Sequence, residues 1–317
     1  MRIGWVGFHM EGVAALRAVL EQGFPIVAII TLSSAAAMRL SGSSDYSTIG
    51  REFGIPVFEV DNINAEPSLR ILAELELDLA FVIGWTQLVG PAARKLIPHG
   101  VVGAHASLLP RNRGRAPVNW ALIKGERETG NTLLWLGDSV DGGDVIDMVR
   151  IAITPYDSCL SIYERVADSN RAMILRLIPK LLDGERPATP QPPSDEPPLS
   201  KRRPSDGQVD WSQSSARVYD FVRGLTRPYP GAFSWLNGRR WRIWACALPP
   251  QRAAGDEVPG EVIGSVVSPV QEACGQVVWC GQGAITLLEL ESDDGRVLKG
   301  RELSDQEWSG WCWRNGD

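Results

Sequence analysis

Strand-like and helix-like segments alternate along the first half of this chain, and this alternation constrains the fold more than any other feature of the sequence. Apolar runs with strand character lie at Arg2–Phe8, Pro25–Leu32 and Leu77–Ile83, and segments of helical periodicity separate them. Alternating strands and helices form a mostly parallel sheet that carries helices on both faces. We therefore predict an α/β, Rossmann-like domain over residues 1–184.

The pattern changes after the long helical segment Leu160–Leu182. Residues 187–204 contain seven prolines, which block both a helix and a central strand, so 185–205 is predicted to be a proline-rich linker. A helix at Val209–Gly224 and short strand-like runs divided by Asn-Gly and Asp-Gly turns follow. These features predict a smaller C-terminal β-barrel-like domain over 206–317, and a chain of 317 residues is long enough for both domains.

Composition argues against several classes of function. The chain has no apolar window long enough to span a membrane and no leader-like N-terminus, so we expect a cytoplasmic protein without a membrane partner. The formal net charge is −6 and the longest basic run is Lys201–Arg203, which disfavours binding to DNA. The five cysteines are widely spaced and odd in number, so we predict neither a disulfide framework nor a metal centre.

In a sheet of this kind the ligand binds beyond the carboxyl ends of the strands, so the loops after Phe8, Ile83 and His105 are candidate sites. The first of these loops follows glycines at positions 4 and 7 and contains Gly12. That spacing does not make the Gly-x-Gly-x-x-Gly pattern, and no phosphate-binding lysine follows. A nicotinamide dinucleotide is therefore disfavoured as a ligand.

The most unusual residues cluster between positions 103 and 144. His105 ends a strand-like run and precedes an irregular segment that contains Pro110 and Gly114, and Asp141 lies 36 residues after His105. A histidine at the end of a strand can act as an acid or base near neutral pH, and a carboxylate can fix its tautomer. Taken singly, each feature is also typical of a structural role, because a lone histidine is often structural and Asp-Gly-Gly-Asp is a common turn.

Several motifs occur together in this chain. They are His105, Ser107–Pro110, Arg113–Gly114, Glu128–Gly130, Thr132, Asp141, Gly143–Asp144, Asp206–Gly207, Asp210–Trp211, Arg223 and Pro228–Phe233. In combination they resemble the family of formyltransferases that use 10-formyltetrahydrofolate, which includes methionyl-tRNA formyltransferases and sugar N-formyltransferases. The resemblance covers nearly the whole chain.

The resemblance implies an enzyme that transfers a one-carbon group, with 10-formyltetrahydrofolate as the donor. It assigns His105 to polarise the formyl oxygen and to move protons, and it assigns Asp141 either to orient His105 or to take the proton of the amine. Which of the two residues is the base stays open. The donor is expected to contact two loops, which consist of Gly84, Trp85, Thr86 and Gln87 and of Leu108, Leu109 and Pro110.

The chain departs from the family at one catalytic position. The family has a catalytic Asn two residues before the histidine, where this chain has Gly103. An amide donor to the developing oxyanion is therefore missing, and the loss of one such donor costs about a hundred- to a thousand-fold in rate. Three possibilities stay open: a substitute donor (Gln87, Thr86, Asn119 or a backbone N–H), a transferred group that is formimidoyl or larger than formyl, and a relative without catalytic activity.

The acceptor is expected to be the amine of a small molecule, because residues 113–120 most resemble the amino-sugar branch of the family. Arg113 and Asn119 are the predicted acceptor contacts, and an Arg fork suits the phosphate oxygens of a nucleotide amino sugar. A methionyl-tRNA formyltransferase is the alternative. It is less favoured because the loop after the second strand carries a single basic residue, Arg39. The oligomeric state stays open between monomer and homodimer.

Overall fold

The computed structural model describes residues 1–249 and 258–314, which form two compact units. The first unit comprises residues 1–118, 127–153 and 161–200, and the second comprises 119–126, 154–160 and the described residues from 201 onward. Each unit has its own sheet and its own hydrophobic core.

The elements up to residue 182 alternate as the sequence predicts, and they include two short helices and two strands that were not predicted. They are β1 Ile3–Val6, α1 Met10–Glu21, β2 Ile26–Leu32, α2 Ser34–Ala37, α3 Tyr46–Phe53, β3 Val57–Val60, α4 Glu66–Leu75, β4 Leu79–Val82, α5 Pro91–Lys95, β5 Val101–His105, α6 Pro117–Ile123, β6 Glu128–Trp135, β7 Val145–Ala152 and α7 Cys159–Leu182.

The sheet of the first unit has seven strands in the order β3-β2-β1-β4-β5-β6-β7. Strands β1 to β5 pair in parallel, whereas β6 and β7 pair antiparallel. The chain proceeds outward from β1 in one direction to β3 and then in the other direction from β4. A crevice opens beyond the strand ends at such a reversal, and ligands of this fold class bind there.

Apolar cores cover both faces of this sheet. On one face, Leu16 of α1, Ile49 of α3 and Ile174 of α7 belong to the cluster that includes Trp5 of β1. On the other face, α4 and α5 pack against the sheet in a separate cluster. Every residue of β4 is buried, as expected for a parallel strand with helices on both sides.

The second unit is mainly antiparallel. Its elements are α8 Ser215–Leu225, β8 Ala232–Leu236, β9 Arg239–Ala247, β10 Val262–Val266, β11 Gly275–Trp279, β12 Ala284–Ser292, β13 Val297–Lys299, α9 Gly300–Ser304 and β14 Trp313–Arg314. The main strand path is β10-β11-β12-β9-β8-β14, and a bridge between Glu261 and Cys312 joins its two ends. The sheet is therefore barrel-like.

The fold class predicted from the sequence is confirmed in both units. One helix boundary differs, because the predicted helix Val209–Gly224 begins at Ser215 instead. Ser214 caps that helix by accepting a hydrogen bond from the Arg217 backbone N–H, which fixes the start. Within the described part of the chain, no helix is long and apolar enough to cross a membrane.

Candidate active site

Loops from three parallel strands approach one another at the carboxyl edge of the first unit's sheet. The backbone N–H groups of Phe8 and His9, after β1, donate to the Gly84 carbonyl, after β4, at 3.2 and 3.1 Å. The Arg115 guanidinium, on the loop after β5, donates to the Thr86 carbonyl at 3.0 Å and to its Oγ1 at 3.2 Å. The three predicted loops thus contact one another at this edge of the sheet.

His105 is the last residue of β5, and its side chain is buried. Its Nε2 lies 2.9 Å from the Asn112 carbonyl oxygen, and its Nδ1 lies 3.6 Å from Asp141 Oδ2. A carbonyl oxygen only accepts hydrogen bonds, so this geometry assigns the proton of a neutral ring to Nε2. The lone pair of Nδ1 then faces the Asp141 carboxylate.

Asp141 has left-handed backbone geometry, with φ of 51°. Its Oδ2 accepts a hydrogen bond from the Gly114 backbone N–H at 2.9 Å. Asp and Asn are among the few side chains that adopt this backbone region readily. The structure therefore brings together His105 and Asp141, the two residues that the sequence predicts to be catalytic.

The loop after His105 is braced by a hydroxyl on the neighbouring strand. Thr132 Oγ1 donates to the Ser107 carbonyl at 2.7 Å and accepts from the Leu109 N–H at 3.2 Å. The peptide bond between Leu109 and Pro110 is cis. This brace fixes Leu108, Leu109 and Pro110, one of the two loops predicted to contact the donor.

The other predicted donor loop begins at Gly84, whose φ of 63° is left-handed. The Trp85 ring packs edge-on against Phe8, with ring centroids 6.1 Å apart. The Trp85 indole Nε1 is buried and has no hydrogen-bond partner among the described residues. This orphaned donor fits a polar ligand in the loop, since a buried polar group without a partner is costly.

Gln87 turns away from this arrangement. Its Oε1 accepts from the Ile63 N–H at 2.8 Å, and its Nε2 donates to the Asp61 carbonyl at 2.7 Å. The side chain therefore connects its own loop to the loop after β3. A role for Gln87 in contacting the donor stays a prediction.

Leu136 occupies the space beside Gly103. A Cβ atom placed on Gly103 would lie 2.5 Å from Leu136 Cδ2 and 3.0 Å from its Cγ. An asparagine at this position would require the leucine side chain to move. The absence of the family's asparagine therefore does not leave an open space at this point of the strand.

The predicted acceptor contacts have partners within the protein. Arg113 Nη2 donates to Gln191 Oε1 at 2.7 Å. Asn119 lies in the second unit and is buried, and its Nδ2 donates to the Gly224 carbonyl at 2.7 Å. Their roles toward an acceptor stay predictions.

A buried ionisable pair at the start of α1 was not predicted from the sequence. His9 Nδ1 accepts from the Glu11 N–H at 3.4 Å and lies 3.8 Å from Glu11 Oε2. Burial lowers the pKa of His9 to about 4 and raises the pKa of Glu11 to about 7. The closely spaced histidine and glutamate after the first strand were the available sequence signal.

Family models match most of the chain. The "Formyl transferase" model matches residues 26–178, and the "Formyl transferase, C-terminal domain" model matches residues 201–306. The chain belongs to the formyl transferase family. This membership confirms the predicted family.

Solved structures with similar folds include HypX from Aquifex aeolicus in complex with tetrahydrofolic acid, with a TM-score of 0.65 and 19% identity over 94% of this chain and 46% of HypX. The N-formyltransferase from Helicobacter canadensis, in complex with folinic acid and dTDP-3-aminofucose, has a TM-score of 0.64 and 14% identity over 90% of this chain and 98% of that one. WlaRD, a sugar 3N-formyl transferase with dTDP and 5-N-formyl-THF, has a TM-score of 0.64 and 14% identity over 90% of this chain and 97% of that one.

These identities show likeness of fold. The chain spans less than half the length of HypX, 46%, but nearly the full length of the two sugar N-formyltransferases. The folds of both units are therefore those of known folate-binding formyltransferase structures, and the acceptor is a separate question.

Proposed function

We propose that this protein transfers the formyl group of 10-formyltetrahydrofolate to the primary amine of a small molecule, and that this acceptor is an amino sugar or a nucleotide amino sugar. The observation that carries the proposal is the pair of acceptor atoms His105 Nδ1 and Asp141 Oδ2, which lie 3.6 Å apart at the carboxyl edge of the sheet.

Two acceptor atoms this close favour a ligand that donates hydrogen bonds. With the ring proton on Nε2, His105 Nδ1 and Asp141 Oδ2 repel each other unless a proton or an N–H group lies between them. An amine supplies such N–H groups. The site thereby favours an amine between His105 Nδ1 and Asp141 Oδ2, where His105 can take the proton that the amine must lose.

The reaction forms a C–N bond from the amine to the formyl carbon and breaks the C–N bond to the folate. His105 Nδ1 takes the amine proton and later returns it to the departing folate nitrogen. The Asp141 carboxylate and the Asn112 carbonyl stabilise the imidazolium between these events, since each faces one ring nitrogen. His105 is the base in this mechanism, and Asp141 supports it.

The oxyanion needs a hydrogen-bond donor other than asparagine. The amides of Gln87 and Asn119 already donate to carbonyl oxygens within the protein. Thr86 Oγ1 accepts a hydrogen bond from Arg115, so its own proton is still available. We favour the Thr86 hydroxyl or a backbone N–H as the donor, and Thr86→Val separates the two.

A larger transferred group and a loss of activity have less support than a substitute donor. Leu136 fills the space beside Gly103, which weighs against extra room for a larger transferred group. His105 and Asp141 remain in contact geometry, which weighs against a relative without activity. A methionyl-tRNA acceptor is the second candidate, because methionyl-tRNA formyltransferases are among the enzymes that the sequence motifs resemble.

The donor part of the proposal is tested by calorimetric titration with 5-formyltetrahydrofolate, a stable analogue of the donor. We expect wild-type protein to bind it at micromolar concentration and Trp85→Phe to bind it more weakly, because phenylalanine keeps a ring but lacks the indole N–H. Trp311→Phe, at an exposed tryptophan of the second unit, is the matched control. Absence of binding by the wild type at hundreds of micromolar contradicts the proposal.

A further inference from the structure

Residues 186–199, here called the proline strap, are joined by hydrogen bonds to the rest of the first unit near both ends and at Gln191. Prolines lack N–H groups and hold the backbone extended, so hydrogen bonds of such a segment go to its surroundings. The Pro187 carbonyl accepts from Trp135 Nε1 at 2.9 Å, and Thr189 exchanges both of its backbone hydrogen bonds with Val145 at 2.8 Å. The strap is therefore an ordered part of this unit.

Gln191, on the strap, makes three side-chain hydrogen bonds. Its Nε2 donates to the carbonyls of Asp141 and Gly143, both at 2.7 Å, and its Oε1 accepts from Arg113 Nη2 at 2.7 Å. The two carbonyls belong to the turn that presents the Asp141 carboxylate to His105. One amide thus ties that turn to the loop that carries Arg113.

The far end of the strap fastens the same loop a second time. Leu199 N–H donates to the Arg113 carbonyl at 2.7 Å, and Arg115 N–H donates to the Leu199 carbonyl at 3.1 Å. Gly114 makes this approach feasible, since a Cβ there would lie 2.5 Å from the Leu199 carbonyl oxygen. Glu196 Oε2 accepts from the Asn112 N–H at 3.3 Å.

The strap therefore holds both sides of the His105 ring. The Asn112 carbonyl faces Nε2 and lies in the loop fastened by Glu196 and Leu199. The Asp141 carboxylate faces Nδ1 and lies in the turn fastened by Gln191. We propose that Gln191 is a positioning residue that holds the Asp141 turn at its working distance from His105.

The consequence for the reaction follows from the backbone of Asp141. Left-handed geometry at a residue other than glycine costs free energy and persists only where its surroundings enforce it. Without the Gln191 amide the turn can relax, and the carboxylate then leaves Nδ1. Misplacement by about 1 Å in an active site can cost about a hundred-fold in rate. We expect the loss to affect turnover, because the hydrogen bonds that the Gln191 side chain makes with described residues go to Arg113, Asp141 and Gly143, which lie outside the two donor loops.

This inference rests on the proposed function, and its test uses the full chain with Gln191→Met and Gln191→Glu. Methionine has nearly the same size and no amide, and glutamate keeps the acceptor for Arg113 but loses both donors. We expect both variants to lower kcat by about ten- to a hundred-fold. We expect the donor KM and the affinity for 5-formyltetrahydrofolate to stay within about two-fold of the wild type, because the donor loops are untouched. Asp195→Ala, an exposed position on the same strap, is the control and should keep wild-type values.

A second readout does not depend on activity. The chain has three histidines, so ¹⁵N-histidine labelling and His105→Asn identify the ring resonances of His105. We expect Gln191→Met to shift those resonances and to leave the His9 ring resonances unchanged, whereas a general loss of stability would change both. Asp195→Ala should shift neither.

The outcomes separate the two proposals. If the wild type transfers no formyl group to any amine, the proposed function fails. The His105 resonances then still show whether Gln191 holds the Asp141 turn beside the His105 ring. If the wild type is active while both Gln191 variants keep its kcat and its His105 resonances, the positioning inference is wrong and the proposed function stands. If one of the two Gln191 variants does not fold, the other one is used for both measurements.

Discussion

The two nitrogens of His105 have different surroundings, and this difference determines what the residue can do. Nε2 is committed to a backbone carbonyl, which substitution of a side chain cannot remove, whereas Nδ1 faces a carboxylate that can be substituted. In the mechanism that we propose, His105 accepts the proton of the amine at Nδ1, and the carbonyl and the carboxylate then each face one N–H of the ring.

We predict that Asp141→Asn lowers kcat by about a hundred- to ten-thousand-fold, the range of general acid–base contributions. Asparagine can still accept the hydrogen bond from Gly114, so the turn should persist while its charge beside His105 is lost. Steady-state kinetics with a saturating donor measure the effect. Asp138→Asn, at an exposed carboxylate three residues earlier, is the control and should retain activity. Wild-type turnover in Asp141→Asn would exclude a role for the charge.

The buried pair His9 and Glu11 predicts a pH dependence of stability. The pKa of Glu11 is about 7 in the folded protein against an ordinary value of 4.5, so the folded protein holds a proton that the unfolded chain releases between these values. The contribution of Glu11 to the free energy of unfolding is therefore lost as the pH rises through this interval. His9 acts in the opposite direction. Its pKa is lowered in the folded protein, so its contribution to the free energy of unfolding decreases as the pH falls from 6.5 towards about 4.

Glu11→Gln should remove the first of these two dependences. We expect the free energy of unfolding of the wild type to fall with rising pH, whereas that of the variant lacks this fall. The difference between the two proteins should therefore change by about 3 kcal/mol in favour of the variant from about pH 5 to about pH 8. Urea denaturation at both pH values measures the difference. Glu21→Gln, at an exposed position at the end of the same helix, should track the wild type. A constant difference between Glu11→Gln and the wild type would show that the carboxyl is not buried as a neutral group.

At the scale of elements, strand β5 packs closely against the segment that follows β6, and this packing explains why an asparagine at position 103 would not fit without a second change. Gly103 on β5 and Leu136 just beyond β6 are complementary, since the leucine occupies the space that a larger side chain at Gly103 would enter. Substitution of Gly103 alone should therefore cost about 1–3 kcal/mol through overpacking.

We predict that Gly103→Asn gains little activity alone, whereas Gly103→Asn with Leu136→Ala raises kcat at least about ten-fold, because the space for the amide is restored. Leu136→Ala alone measures the cost of the cavity. The kcat and the melting temperature of the wild type, the two single variants and the double variant are the measurements that complete the double-mutant cycle. Strictly additive effects would show that the two side chains do not share this space.

The elements that the sequence predicted well are those set by local pattern. Strand β4 lies within the predicted apolar run Leu77–Ile83, and the long periodic helix α7 was predicted to within one residue at each end. Strands β6 and β7 were missed: they form an antiparallel pair of consecutive strands, and β6 lies within the motif-rich stretch 103–144. His105 and Asp141 were found by motif, but Gln191 lies 50 residues after Asp141 in a segment predicted to be a linker. No local signal connects the two.

At the scale of the whole molecule, both sheets agree with the predicted fold, and the remaining question is the acceptor. The formal net charge of −6 and the single Arg39 after β2 provide little attraction for a nucleic acid backbone. WlaRD and the N-formyltransferase from Helicobacter canadensis are two structures of similar fold that span a comparable length. The charge is the observation that supports the proposed small acceptor over tRNA.

We predict that kcat/KM for amino-sugar nucleotides exceeds that for methionyl-tRNA by at least about a hundred-fold. A protein with a formal net charge of −6 gains little from phosphate contacts along an acceptor stem, and any tRNA activity it shows should fall steeply with salt. Formylation of both acceptor classes at low and physiological salt measures the ratio. Efficient formylation of methionyl-tRNA that persists at physiological salt would reverse the assignment of the acceptor.

The central claim, that His105 and Asp141 carry formyl transfer to an amine, is tested most directly by single-turnover formylation. Wild type, His105→Asn and Asp141→Asn are each saturated with 10-formyltetrahydrofolate and mixed with a panel of amino sugars and nucleotide amino sugars, and the formylated product is quantified by mass spectrometry. We expect product from the wild type, and at least about a hundred-fold slower product from both variants at unchanged donor affinity. Equal rates in all three proteins, or no product from the wild type with any amine, would contradict this claim.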